Sequence, residues 1–426
     1  MFPGTFLKIV RKRVLQLFIL LLPTQLGYHF WPKWAYVFGV RVDYLSPTLY
    51  LTDILAAILL VLWIHENRKR RVRLSKNNKL VILSILAFLN VVFALVSQLA
   101  ILKWIKIGEL YLIARILMED AELKIHEDVV IPLTISTTLI LVLAFLQIVL
   151  QRSVGGVLYF LGERSFNSGT PGISLYSLFG SQLLRPYATF SHPNSMAGFA
   201  GAVFLFFLGI YKKLIKARPV LFIGMASCLG ILVLSVSRNA IAALILALVV
   251  YLALRRKVAA MERLLKVAFW LAIILGVGLP VVSNLLLKQQ VVLPESISQR
   301  LVLADLAGRL FSEKPILGFG ANYFIPVVTA LVQGSPISWM LQPVHNVPLL
   351  FLVEAGAVSF IVFTLIAFTF LKTLKKKIQF VFPVLVFILL TASFDHYWFT
   401  LQQNQLLLAV ILGIFSRKNG KEFLLN

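Results

Sequence analysis

The stretch Val129-Val130-Ile131-Pro132-Leu133-Thr134-Ile135-Ser136-Thr137-Thr138-Leu139-Ile140-Leu141-Val142-Leu143-Ala144-Phe145-Leu146-Gln147-Ile148-Val149-Leu150 contains no charged residue. Crossing the hydrocarbon core of a bilayer as one helix takes roughly 20 apolar residues, so this run is long enough to span. The rest of the chain follows suit. Of its 426 residues, 59% are hydrophobic and 14% charged, with a mean hydropathy of +0.90. These values predict an all-α integral membrane protein, one polytopic domain over 1–426, and exclude a soluble enzyme. The one cysteine, Cys228, lies in an apolar run, which excludes an internal disulfide and a cysteine-based metal site. A net charge of +24 would suit a nucleic-acid partner, but the charges fall in short stretches between apolar segments. There they orient a chain in the bilayer, and no nucleic acid is expected.

Working outward from 129–150, Arg11-Lys12-Arg13 precedes an apolar run from Val14 to about Phe30. With no small-residue cleavage site and many spans after it, this run reads as a retained first helix. Further spans are expected at about Ser46–Ile64, Leu80–Leu102, Ser195–Tyr211, Val220–Ser235, Ala240–Leu254, Val267–Leu287, Pro348–Leu371, Phe380–Ser393 and Phe399–Phe415. The basic tract Arg68–Arg73 and the basic turns at Lys212-Lys213, Arg255-Arg256-Lys257, Lys375-Lys376-Lys377 and Arg417-Lys418 should share the cytoplasmic side. That requires a further crossing at Trp104–Met118, whose Lys106, Glu109 and Arg115 would face protein or a watery cavity. The count is then about twelve spans in the cytoplasmic (inner) membrane, with both termini cytoplasmic. Two long loops, 151–193 and 288–345, go to the outer face, and pieces such as Ile297–Phe311 predict short helices inside them.

The outer face collects the residues that can do chemistry. His345-Asn346 closes the second loop, where a titratable imidazole can take a proton from a sugar hydroxyl and Asn346 can cap the next helix. The first loop ends with Arg185, His192 and Asn194; loop structure and capping by Asn194 or Ser195 explain the last two equally well. Arg238 joins two apolar helices, where a guanidinium either snorkels or meets an anion. Arg300 and Arg309 lie nine apart on one helix, about two and a half turns, and should face different ways. Asp395 beside His396 suits an oriented acid–base group or a hydrogen-bonded helix start. Pro315, Gly318 and Gly320 describe a rigid turn with close backbone approach; a nucleotide loop would need a third glycine and a Walker lysine. No Asp-x-Asp, His-Glu-x-x-His or outward carboxylate cluster occurs, so neither metal nor cofactor is expected. The absence of Gly-x-Ser-x-Gly argues against a hydrolase elbow.

Taken in order, Arg-Pro-Tyr-Ala-Thr-Phe-Ser-His-Pro-Asn (185–194), Ser-Arg (237–238), Arg300 with Lys-Pro-Ile-Leu-Gly-Phe-Gly (314–320), His-Asn with Glu-Ala-Gly (345–356) and Phe-Asp-His-Tyr-Trp (394–398) resemble the bacterial O-antigen ligase and polymerase family over about residues 130–415. Ala188 stands where many members have glycine. The resemblance implies a GT-C-like membrane glycosyltransferase, which moves a glycan from a polyprenyl-diphosphate carrier to an acceptor hydroxyl outside the cell without a metal. It implies His345 as the essential histidine, Arg238 and Arg300 as the arginines near the diphosphate, and Arg185 as a fourth candidate. His192, Asn194, Arg309, Asn346, Asp395 and His396 are expected to help bind substrate. Partners would be the lipid-linked glycan donor, a glycan or lipid-glycan acceptor, and the bilayer. A secondary transporter or flippase is the alternative; it would place charges near mid-span and show paired half-chain repeats, whereas these polar groups gather at one face.

Overall fold

The computed structural model describes residues 4–67, 78–289, 293–335 and 340–417. The tract Arg68–Arg73 and Lys418, used above to orient the chain, lie outside the described residues. The described chain is mostly helical, as a membrane protein of this composition must be: in lipid, a helix satisfies its backbone within itself. Among the described residues, five helices are long and apolar enough to cross a membrane, at Ile125–Leu150, Pro193–Ile210, Ile215–Ser235, Val258–Lys288 and Val347–Thr373. Shorter apolar helices cover Lys79–Val92, Arg238–Leu254 and Ile378–Ala392.

The run 129–150 behaves as its sequence dictates. Pro132 sits in the first turn of helix Ile131–Leu150, where its missing N–H is not needed. Thr137 and Thr138 return their hydroxyls to the carbonyls of Leu133 and Thr134, so neither is left bare in an apolar setting. Leu133, Ile140, Leu143 and Ala144 are buried, while Leu139, Val142, Phe145 and Val149 are exposed. One face therefore packs on protein and the other presents apolar surface outward.

Three spans differ from expectation. The first helix runs Gly4–Leu20 and so contains Arg11-Lys12-Arg13 instead of following them. Arg11 is buried in ion pairs with Asp120 and, at 2.9 Å, Glu66, which is how a guanidinium persists there. The expected span Leu80–Leu102 breaks into helices Asn78–Val92 and Ser97–Glu119, the second of which takes in Trp104–Met118. Its break is docked: the Leu95 N–H donates to the Phe319 carbonyl at 3.1 Å, and Gly320 lies against Ala94. The last expected span divides into Tyr397–Thr400 and Gln402–Ser416. The all-α expectation also misses three two-stranded ribbons: Gly27–His29 with Thr48–Tyr50, Tyr36–Val37 with Val40–Arg41, and Leu175–Leu178 with Ser181–Leu184. In the second long loop, the expected helix at Ile297–Phe311 extends over Glu295–Glu313.

Helix Val347–Thr373 is interrupted at Gly356 (φ 75°, ψ 169°), and the loop 315–320 pairs with both sides of the break. Phe319 and Gly320 donate to the carbonyls of Val353 (3.2 Å) and Glu354 (3.0 Å), while Ala357 donates to the Pro315 carbonyl (2.8 Å). Asn90 adds a bond from Nδ2 to the Glu354 carbonyl at 3.0 Å. A Cβ on Gly356 would lie 2.2 Å from the Ile316 carbonyl oxygen, so only glycine fits this approach. The rigid turn expected from Pro315, Gly318 and Gly320 is therefore the partner of a broken helix.

Candidate active site

His345 lies in the turn before helix Val347–Thr373, and its neighbour Asn346 fixes that turn. Asn346 is 1% exposed; its Oδ1 accepts the Leu349 N–H at 2.9 Å, and its Nδ2 donates to the Ser393 carbonyl at 2.9 Å. The cap expected of Asn346 is thus present, and it also ties the His345 turn to the end of helix Ile378–Ala392. Two residues beyond Ser393 come Asp395 and His396. The rings of His345 and His396 meet edge to face, with centroids 5.3 Å apart at 63°.

Asp395 is 5% exposed, and each of its carboxylate oxygens accepts one hydrogen bond. One oxygen accepts the His396 N–H at 2.8 Å and the other accepts Asn194 Nδ2 at 3.1 Å. Asn194 Oδ1 in turn accepts Arg185 Nη2 at 2.8 Å. Arg185 also donates from Nε to the Ser235 carbonyl (2.9 Å) and from Nη1 to Ser174 Oγ (2.9 Å). A line Arg185–Asn194–Asp395 therefore joins the first long loop to the two histidines. His192, and neither Asn194 nor Ser195, caps helix Pro193–Ile210: its Nδ1 accepts the Asn194 N–H at 3.1 Å. Proline at the next position leaves the cap two residues earlier than the nearer of the two expected caps, Asn194.

The remaining arginines divide as their spacing predicted. Arg300 Nη1 reaches the Phe394 carbonyl at 3.3 Å, beside Asp395. Arg309 turns away to Asp305, with Nη2 at 2.8 Å, and its side chain is 63% exposed. Arg238 opens helix Arg238–Leu254 and is exposed, with no hydrogen bond or ion pair among the described residues.

These groups lie in loops outside the apolar helices, where burial and mutual charge set their protonation. Burial pushes His345 down to about 3; Asp395 pulls it back up, while His396 and Arg300 push it further down. His192 falls to about 4, again chiefly by burial, and His396 is lowered for the same reason. Burial alone would raise the Asp395 carboxyl, but His345, His396, His192 and Arg300 outweigh it and hold it below the usual carboxylate range. The free site thus holds a carboxylate between neutral imidazoles. His345 Nδ1 is buried without a hydrogen-bond partner.

Sequence reasoning missed several residues that shape the site. Gln147 Oε1 accepts the N–H groups of Tyr187 (2.9 Å) and Ala188 (2.7 Å), and its Nε2 donates to buried Glu163 at 2.8 Å. This clamp holds Ala188 in the left-handed region (φ 47°), a conformation for which glycine is suited. Thr400 was also missed; its Oγ1 lies 2.7 Å from His396 Nδ1. Spacing in the sequence gave no metal signal, yet folding brings one ligand atom each from His345, Asp395 and His396 within 4.8 Å of one another.

Residues 223–364 match the family model described as O-antigen ligase, a stretch holding Arg238, Arg300, His345 and Asn346 but neither Arg185–Asn194 nor Asp395-His396. No curated protein matches the chain. Over residues 223–364 this membrane protein is therefore similar to the O-antigen ligase family, whose model supports a role of the O-antigen ligase type in polysaccharide biosynthesis.

Proposed function

We propose that the protein is a membrane glycosyltransferase that transfers or polymerises a glycan from a polyprenyl-diphosphate carrier onto an acceptor hydroxyl, at the outer face of the cytoplasmic membrane. The observation that carries this reading is the pairing of an unpartnered, buried His345 Nδ1 with Arg300 across Asp395-His396. In the transfer, the acceptor oxygen attacks the anomeric carbon, its proton passes to the His345 imidazole, and the bond to the diphosphate oxygen breaks. Arg300 and Arg238 stabilise the charge that collects on the departing diphosphate, which bidentate guanidiniums suit. Burial keeps His345 neutral and able to accept; the incoming diphosphate's negative charge raises its proton affinity when donor is bound. Asp395, held by Asn194, steadies the imidazolium that forms. Arg185 contributes through that line of hydrogen bonds, its three interactions being used within the protein. Arg309, paired with Asp305, lies off this centre.

The test is transfer by purified protein in lipid with a polyprenyl-diphosphate glycan and excess chelator. Turnover is expected without added metal; a strict requirement for a divalent ion would overturn the mechanism. For the side of the membrane, single cysteines at Ser168 and Gln333 should label from outside in intact cells, and protection of both would refute an outer-face site.

A further inference from the structure

We infer that this centre is also a binding site for a borderline divalent transition-metal ion, Zn2+ foremost, held by His345, Asp395 and His396, and that the ion switches transfer off. Two imidazoles and one carboxylate are the donor set such ions prefer, with a fourth position left open. One ligand atom from each residue lies within 4.8 Å of the others. Each ligand is also prepared by its neighbours. Thr400 Oγ1 donates its only proton to the His396 carbonyl at 3.1 Å, so at 2.7 Å it accepts from His396 Nδ1. That leaves His396 Nε2 with a bare lone pair, the tautomer a metal requires. Asp395 is aimed by Asn194 Nδ2 and the His396 N–H. His345 Nδ1 is buried without a partner, a polar atom whose burial is costly unless something meets it. Arg300, at the Phe394 carbonyl, opposes a cation, so the three ligands must outweigh one nearby positive charge.

Coordination displaces water from the ion and occupies the imidazole lone pairs; no electron changes hands. Inhibition follows because a metal-bound His345 cannot accept the acceptor proton. That consequence rests on the proposed role of His345, whereas binding itself does not.

The full-length protein in lipid, stripped of metal, should take up one Co2+ with the visible bands of a tetrahedral nitrogen–oxygen site, and Zn2+ should displace it. His396→Ala and Asp395→Asn should abolish those bands in protein that keeps its helical circular dichroism. Thr400→Val, which removes only the support behind His396, should weaken metal binding about 10- to 100-fold. Absence of the bands in folded wild-type protein, or their persistence in His396→Ala, would overturn the site. In the transfer assay, Zn2+ should inhibit wild-type enzyme and chelator should restore it. Metal that binds through all three ligands yet leaves transfer at full rate would uphold the site and sink the base role of His345.

Discussion

Arg185, just after a strand in the first long loop, and Arg238, at the start of an apolar helix, are both arginines beside apolar spans, and the fold treats them oppositely. Arg185 has spent its donors on Ser235, Ser174 and Asn194, and through Asn194 it holds Asp395. Arg238 stands exposed with no partner among the described residues. The same division runs through the site: Asn346 and Asn194 are bonded within the protein, while His345 Nδ1 and Arg238 are not. A group already satisfied by protein positions its neighbours. One left open is available for a ligand.

That contrast can be broken experimentally, and the largest effect is expected on its open side. His345→Ala should lower turnover about 10²–10⁴-fold, the usual span for a general base, while donor binding survives. Near wild-type turnover, or failure through loss of donor binding alone, would remove the base from the mechanism. Arg238→Ala and Arg300→Ala should abolish detectable transfer in folded protein, with lysine restoring only part, because an ammonium cannot form the bidentate fork. Arg309→Ala should be milder, and full rescue by lysine at both 238 and 300 would contradict diphosphate binding there. On the fixed side, Asn194→Ala should show itself first as a lower melting temperature. It strands Arg185 Nη2 and an Asp395 oxygen at once, at about 1–3 kcal/mol for an unmet buried group. If melting is unchanged and only donor affinity falls, Asn194 belongs with the open groups instead. The smallest effect is Ala188→Gly: relief of a left-handed alanine, roughly 1–2 kcal/mol, against about 0.4–1 kcal/mol of lost backbone restriction. A gain of up to about 1.5 kcal/mol in thermal stability is expected, and destabilisation would mean the Ala188 methyl is needed for packing.

How much of this was legible depended on whether the signal was local. Apolar runs such as 129–150 and 193–210 announce their helices because burial in lipid is written residue by residue. The break at residues 93–96 is invisible in an apolar stretch, since it is imposed by Phe319 and Gly320 from more than two hundred residues away. The hairpins were missed for a different reason: their turns are Phe38-Gly39 and Phe179-Gly180, with positive φ at both positions, where the usual cue is Asn-Gly or Asp-Gly. In the site, His345, Arg300 and Asp395 stood out as polar residues beside oil, and the structure brings these three together. The capping role of His192 and the support from Thr400 and Gln147 did not. A threonine or a lone glutamine in an apolar run carries no sign of what it will face across the bundle, although Gln147, the one amide in residues 129–150, was a hint.

The paired break at Gly356 has a consequence for how this chain can tolerate insertions. Residues 315–320 splint both halves of the interrupted helix and follow directly from the helix that carries Arg300, while His345 begins the upper half. The spacing of cation and imidazole is therefore set by two short pieces, 313–320 and 345–356, in which one added residue shifts the register of every splinting bond. Between them lies helix Phe324–Leu331, packed on the core. At Gln333-Gly334 the chain is an exposed turn, with open space around Gly334. Length can vary there, as loop tips allow, while the ruler that separates the two groups stays the same.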